Sequence, residues 1–186
     1  SATANYGYFI QNDLRTLDQF GEWYHNSATG KFSMFFGAVN PTTRTVKVAT
    51  KTHLINNIGT SNNAYDYITI KNLQLEGAIN CGVNIGARGT YHIIENCDIS
   101  YCGENGVKGS YFSSYNTVTR NTFNNCTSAA IAFQAGSDAR DNIITYNSVR
   151  NTGLIIGSAK GTYNGFYSGI AGGSENGKIE YNTVTN

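Results

Sequence analysis

A short segment recurs from Tyr67 to the end of the chain, and this repeat limits the folds that the chain can adopt. One apolar position of the segment recurs at steps of 24, 24, 26 and 35 residues, a second recurs at the same steps, and a third recurs at steps of 24. The three positions are filled by Ile70, Ile94, Val118, Ile144 and Ile179; by Leu75, Ile99, Phe123, Val149 and Val184; and by Val83, Val107 and Ile131. Self-similarity at a fixed period is typical of solenoids and other repeat architectures.

Each copy of the segment has the pattern of β-strands rather than of a helix. Apolar residues alternate with other residues, as at Ile68 and Ile70 and again at Leu73 and Leu75, so one side of each strand faces inward. Gly, Asn and Ser separate the strands, as turns require. Because about three short strands cannot bury their own apolar side, neighbouring copies must stack, with a rise of roughly 4.8 Å per coil. The repeat therefore predicts a parallel β-helix with about 24 residues per coil.

Composition and charge limit the expected partners. The chain has 186 residues, which is the length of one domain. Only 13% of the residues are charged and the formal net charge is +1, so nucleic acid is not an expected partner. No run of about 18 apolar residues is present, and we therefore expect no membrane span. We also expect no cofactor. No signal peptide is visible, and the first residues are typical of a mature or internal terminus.

The repeat also suggests how the chain is organised. We expect one β-helix domain over residues 1–186, with a hairpin flap over 21–37, coils over 46–186 and a loop insertion over 153–168. The insertion accounts for the step of 35 residues, and the strand at Ile170 resumes the third apolar position. The fifth copy stops in mid-coil without a recognisable cap. We therefore expect an internal segment of a longer β-helix, with further coils or other subunits covering the open ends.

The four cysteines leave the compartment open. Cys102 and Cys126 occupy the same position of consecutive copies, so their Cα atoms should lie roughly 5 Å apart, within reach of a disulfide. The alternative, which we favour, is a stack of two small buried residues. Cys81 and Cys97 lack the spacing of metal ligands and have no nearby histidine, so no metal site is expected.

Three segments carry a resemblance to a known family. They are LDQFGEWYHNSATGKFSMFF, YITIKNLQLEGA and TGLIIGSAKGTYNGFYSGI, and with the repeats they cover roughly residues 10–186. The chain resembles right-handed, single-stranded parallel β-helix proteins of the pectate-lyase-like superfamily, in particular secreted bacterial β-helix glycoside hydrolases with a GEWY hairpin. The resemblance implies an all-β, right-handed solenoid that is secreted or lies at the cell surface and that acts on or binds polysaccharide.

The motifs of the best-known β-helix enzymes are missing from the sequence. Hydrolysis of a glycan needs two carboxylates across the scissile bond, whereas a lyase needs a base and a cation that neutralises the uronate carboxylate. The polygalacturonase pattern (NTD, DD, GHG) and the arginine signature of pectate lyases do not occur. Three functions stay open: a carbohydrate-active enzyme resembling glycoside hydrolases; a non-catalytic adhesin, surface filament or glycan-binding scaffold; and a polysaccharide lyase.

Outward positions next to the third apolar position supply the candidate site. Lys108 could neutralise an acidic sugar or act as a base, or it could be an ordinary solvated lysine. Glu104 could act as a general acid, or it could be a turn carboxylate. The substrate-binding candidates are Asn84, Arg88, Lys108, Gln134, Tyr163, Phe166 and Tyr167. The last three lie in the insertion and line a groove or fix the loop to the core.

Ladders of identical residues are predicted along the stack. Tyr67, Tyr91 and Tyr115 recur at steps of 24 and should form an aromatic ladder, suited to sugar rings or to stacking for its own sake; we favour the latter. His92 should point inward as a hydrogen-bonded core residue. An inward ladder of asparagines should satisfy the backbone of the turns, and its members are Asn121, Asn147 and Asn182.

Overall fold

The computed structural model describes residues 13–57, 64–133, 139–154, 168–172 and 174–185. Within them it has sixteen β-strands, two 3-10 helices and no α-helix. The chain divides into two compact units, residues 1–47 and residues 48–186. No helix in this described part is long and apolar enough to cross a membrane.

The first unit contains an antiparallel hairpin of β1 (Trp23–Asn26) and β2 (Lys31–Met34). The side chain of Asn26 closes its turn by accepting hydrogen bonds from the backbone N–H groups of the second and third residues after it. Trp23 is 63% exposed and stacks on Phe32, with the ring centroids 5.8 Å apart. The hairpin therefore presents an aromatic pair to solvent.

Two short 3-10 helices flank the hairpin, at Leu14–Thr16 and Pro41–Thr43. Each begins after a side-chain cap, because Asp13 accepts a hydrogen bond from the N–H of Arg15 and Asn40 accepts one from the N–H of the second residue after it.

The second unit is a parallel β-helix with three faces. The first face consists of β4 (Thr69–Lys71), β6 (Ile93–Glu95), β9 (Thr117–Thr119), β12 (Ile143–Thr145) and β15 (Lys178–Glu180). The second face consists of the first part of β5 (Gln74–Gly86), β7 (Asp98–Cys102), β10 (Thr122–Cys126), β13 (Ser148–Thr152) and β16 (Thr183–Thr185). The third face consists of β3 (Lys51–Asn56), the end of β5, β8 (Val107–Gly109), β11 (Ile131–Phe133) and β14 (Ile170–Gly172).

The register of the strands confirms the predicted repeat. On the first face Ile94 pairs with Val118 and Val118 with Ile144, and all three are buried. Ile170 continues the third apolar position beside Ile131, as expected. The long step arises because residues 153–169 connect β13 to β14, whereas four residues make the same connection in each of the two preceding coils.

Buried polar side chains run through the core as ladders, as the sequence predicts. Asn121 accepts a hydrogen bond from the N–H of Cys97, and Asn147 accepts one from the N–H of Asn121. His92 is 2% exposed, and its Nδ1 accepts a hydrogen bond from the N–H of Ile68. These side chains satisfy backbone groups that the turns leave without a partner.

The two stacked cysteines are free thiols. Cys102 and Cys126 are partners in register, and both are buried. A hydrogen bond with Cys102, together with burial, raises the pKa of the Cys126 thiol. Of the two alternatives open from the sequence, the structure has the stack of small buried residues.

Residues with left-handed backbone turn the chain at each corner of the coil. Apart from glycine, their φ values lie between 49° and 62°. At the corner before the first face they are Tyr67, Tyr91, Tyr115, Asp141 and Asn176. At the corner after it they are Asn72, Asn96, Arg120, Tyr146 and Tyr181. Tyrosine is uncommon in this conformation, so stacking between coils must offset the conformational cost.

Candidate functional site

The outer side of the third face carries a row of side chains that crosses the coils. The row comprises Asn56, Asn84, Lys108, Ala132 and Ala171, which pair in register from coil to coil. The structure thus brings Asn84 and Lys108 side by side, as the sequence suggests. Asn84 is buried, however, and its amide is occupied by Asn56 and by the N–H of Gly86. Its exposed neighbour Asn56 is the better placed of the two to meet a ligand.

Lys108 and Glu104 form an ion pair beside this row. Lys108 Nζ donates to Glu104 Oε1 at 2.9 Å, and the two side chains are 33% and 40% exposed. The other carboxylate oxygen, Oε2, lies 3.7 Å from the thiol sulfur of Cys81. Burial raises the pKa of the Cys81 thiol to about 12, so the thiol is protonated at neutral pH and donates a hydrogen bond to Glu104. A cation therefore holds one oxygen of the carboxylate and a buried thiol holds the other.

His53 joins this cluster, and the sequence analysis was wrong to place no histidine near Cys81. The two residues are partners in register on β3 and β5. Their separation of 28 residues differs from the period of 24, which is why the repeat did not reveal the pair. Burial lowers the pKa of His53, although the charge of Glu104 opposes this shift. Its Nδ1 is buried without a hydrogen-bond partner in the structure.

The tyrosine ladder is present at the corner before the first face. The rings of Tyr67 and Tyr91 stack at 4.9 Å between centroids and those of Tyr91 and Tyr115 at 5.0 Å, with the planes within 10° of parallel. Tyr146 and Tyr181 form a second ladder at 5.0 Å, which the sequence analysis missed although both residues precede an asparagine of the inward ladder. Within each ladder the facing ring surfaces cover each other, whereas the terminal rings of Tyr67 and Tyr181 are 73% and 71% exposed. A sugar that stacks on an aromatic face finds no open face inside a ladder.

A family comparison extends this description of the fold. The model of the family described as right handed beta helix region matches residues 54–186. The chain belongs to the right-handed β-helix family. No curated protein and no solved structure matches it.

Of the remaining candidate residues, Arg88 alone lies among the described residues. Arg88 lies at the corner that follows the third face, where its guanidinium is 5.3 Å from the ring centre of Phe112. Gln134, Tyr163, Phe166 and Tyr167 lie outside the described residues.

Metal binding finds no support in the described part of the β-helix. Across residues 13–57, 64–133, 139–154, 168–172 and 174–185, no group of three or more His, Cys, Asp and Glu side chains is placed to hold a metal ion. The Glu104 cluster combines one carboxylate, one ammonium group, one thiol and one imidazole. Such groups donate and accept hydrogen bonds, and the carboxylate could also act as an acid or a base.

Proposed function

We propose that this β-helix is an extracellular polysaccharide-binding protein, and that the glycan lies along the third face across Glu104 and Lys108. The observation that carries the proposal is the half-exposed ion pair of these two residues on the outside of the coil. Asn56 extends the polar surface, and His53 lies at its base. The fold and the GEWY hairpin support it through their resemblance to secreted carbohydrate-active proteins.

The chemistry of a sugar matches this surface. Each ring presents several hydroxyl groups, and each hydroxyl both donates and accepts hydrogen bonds. A carboxylate beside an ammonium group offers charged partners for both functions, and hydrogen bonds to charged groups are the stronger ones. The coils repeat every roughly 4.8 Å. An extended glycan parallel to the solenoid axis would therefore meet Asn56 and Lys108, whereas Asn84 and Ala132 of the same row are buried.

Binding is favoured over hydrolysis because Glu104 is committed on both oxygens. A glycoside hydrolase needs one carboxyl group that protonates the leaving oxygen and a second that acts as nucleophile or base. The contacts of Glu104 in the structure are a lysine and a thiol. The resemblance to glycoside hydrolases makes hydrolysis the second candidate function, with Glu104 as the general acid.

A binding assay with a matched control tests the proposal. The first face carries a similar ion pair, Lys71 with Glu95 at 2.6 Å. For a polysaccharide that the unmodified protein binds, we expect Lys108→Met to lower the affinity at least tenfold. We expect Lys71→Met to leave this affinity unchanged. Affinity electrophoresis against a panel of polysaccharides would measure both. Equal effects of the two substitutions, or no binding to any polysaccharide, would overturn the proposal.

The same panel separates the enzymatic functions from binding. Release of reducing ends from a neutral polymer would establish hydrolysis, and ultraviolet absorbance from an unsaturated uronate would establish a lyase. We expect retention of a polymer with neither signal.

A further inference from the structure

We infer that Glu104 makes this site selective for neutral polysaccharides, because its carboxylate occupies the place at Lys108 that a uronate carboxylate would take. The inference rests on the proposed function, and it names the class of glycan. It also assigns Glu104 as the residue that determines specificity.

The contact geometry supports this assignment. A carboxylate that binds a lysine lies about 2.7–2.9 Å from the ammonium nitrogen. Glu104 Oε1 lies 2.9 Å from Nζ of Lys108, so the protein supplies its own carboxylate at that distance. The thiol of Cys81 donates a weak hydrogen bond to the second oxygen from the buried side. Glu104 is thus held in place on the lysine rather than being a free carboxylate that happens to lie nearby.

The balance of charge then disfavours an acidic sugar. To reach Lys108, a uronate would have to replace Glu104, exchanging one carboxylate–ammonium contact for another. The displaced carboxylate of Glu104 would remain close to the carboxylate of the uronate, and two neighbouring negative charges repel each other. Burial lowers the pKa of His53, which disfavours a compensating positive charge on its ring. The hydroxyl groups of a neutral sugar can hydrogen-bond to both members of the intact pair.

A charge-neutral substitution should reverse this selectivity. Glu104→Gln keeps the size of the side chain and one acceptor oxygen but leaves Lys108 without its counter-charge. We expect this variant to bind polygalacturonate at least tenfold more tightly than the unmodified protein at low salt, and to lose the gain at high salt. Glu95→Gln, which removes the counter-charge of Lys71 and of Arg120 on the first face, should give no such gain. The double substitution Glu104→Gln with Lys108→Met should abolish it.

The experiment compares these three variants with the unmodified chain, each checked for folding by circular dichroism, on polygalacturonate and on a panel of neutral polysaccharides. The expected result is that the unmodified protein binds a neutral polymer and not polygalacturonate, and that only Glu104→Gln gains the acidic polymer. Binding of polygalacturonate by the unmodified protein as tightly as a neutral polymer would overturn the inference and leave the proposed function standing.

Two further outcomes complete the test. Failure of Glu104→Gln to gain polygalacturonate would also overturn the inference, because it would mean that Glu104 does not mask Lys108. Absence of binding to every polymer by the unmodified protein would overturn the proposed function. The response of Glu104→Gln to polygalacturonate would then still decide whether Glu104 masks the lysine.

Discussion

The side chain of Asn121 accepts a hydrogen bond from the backbone N–H of Cys97, which lies one coil earlier. Its Oδ1 accepts the N–H of Cys97 at 2.9 Å, while its Nδ2 donates to the carbonyl of Ile94 at 3.0 Å. The same Nδ2 also donates to Oδ1 of Asn147 in the next coil. One fully buried side chain thus joins three coils.

Asn121→Ala should therefore be among the most destabilising single changes in the solenoid. It would leave buried backbone and amide groups without partners, each costing about 1–3 kcal/mol. We expect the free energy of unfolding to fall by about 3–5 kcal/mol, measured by urea denaturation. Asn182→Ala is the matched control, because Asn182 occupies the same position in a less buried coil. If Asn182→Ala lowered the free energy of unfolding as much as Asn121→Ala, burial would not be the cause of the large effect at Asn121.

The ring of His92 predicts a loss of stability in acid. Its Nδ1 accepts the N–H of Ile68 at 3.1 Å, so the neutral ring carries its proton on Nε2, 3.0 Å from the amide nitrogen of Asn57. A second ring proton would sit on Nδ1, where it would replace this acceptor and face the N–H of Ile68. Burial lowers the pKa of His92 below its ordinary value of 6.5, although Asp66 opposes this shift. Below pH 6.5 the unfolded chain therefore binds a proton that the folded chain does not, and the free energy of unfolding decreases as the pH falls.

The size of this effect and its control follow from the same geometry. The loss should approach about 1.4 kcal/mol per pH unit between the two pKa values of His92. His92→Asn copies Asn116, which holds the same position in the next coil, and its Oδ1 can still accept the backbone N–H. Urea denaturation at pH 7.5 and pH 5 should show a smaller difference for this variant. An unchanged difference would mean that other groups, such as His53, cause the pH dependence.

The tyrosine ladder should contribute to stability through stacking rather than through sugar binding. Tyr91 stacks on both of its neighbours, and such pairs contribute about 0.5–1.5 kcal/mol each. Tyr91→Asn keeps a residue that tolerates φ of 59°, so we expect a loss of about 1–2 kcal/mol and unchanged glycan binding. Tyr91→Val should cost about 1–2 kcal/mol more, because a β-branched residue is strained in this conformation.

Tyr67→Asn is the control for the ladder, because Tyr67 stacks on one described ring and should lose about half as much as Tyr91. Thermal denaturation measures the order of the three variants. A drop in glycan affinity for Tyr91→Asn, with stability unchanged, would assign the ladder to binding instead.

Two glycines in the coils should respond in opposite ways to alanine. A Cβ at Gly106 would lie 2.5 Å from the ring of Phe123 and 2.6 Å from the carbonyl oxygen of Ala130, so Gly106→Ala should destabilise the fold by about 1–3 kcal/mol or more. A Cβ at Gly172 would meet Ile144 and Ile179 at an ordinary 3.6 Å, beside a cavity of about 120 Å³.

Gly172→Ala should therefore stabilise the fold by about 0.4–1 kcal/mol, because it reduces the freedom of the unfolded chain without strain in the folded one. Thermal denaturation of the two variants side by side checks the prediction. Stabilisation by Gly106→Ala would contradict the prediction, because it would mean that a methyl group fits between Gly106 and the ring of Phe123.

The sequence by itself determined the architecture of the solenoid. Strand alternation and a step of 24 residues leave stacking as the only way to bury residues such as Ile94 and Val118, because a single copy is too small to enclose them. The same steps place identical residues above one another, so the ladders of Tyr91 and Asn121 and the stack of Cys102 and Cys126 could be predicted from spacing alone. These features depend on contacts between equivalent positions of neighbouring coils.

Only the tertiary structure decided the candidate site. His53 reaches Cys81 from a first coil that does not follow the period, and the contact of Glu104 with Lys108 depends on side-chain rotamers at a turn rather than on a repeat position. It also showed that Asn84, predicted to face a ligand, has its amide occupied by Asn56. Periodicity fixes which residues are neighbours along the stack, whereas the partners of a polar side chain depend on where the chain bends and on which atoms lose their water.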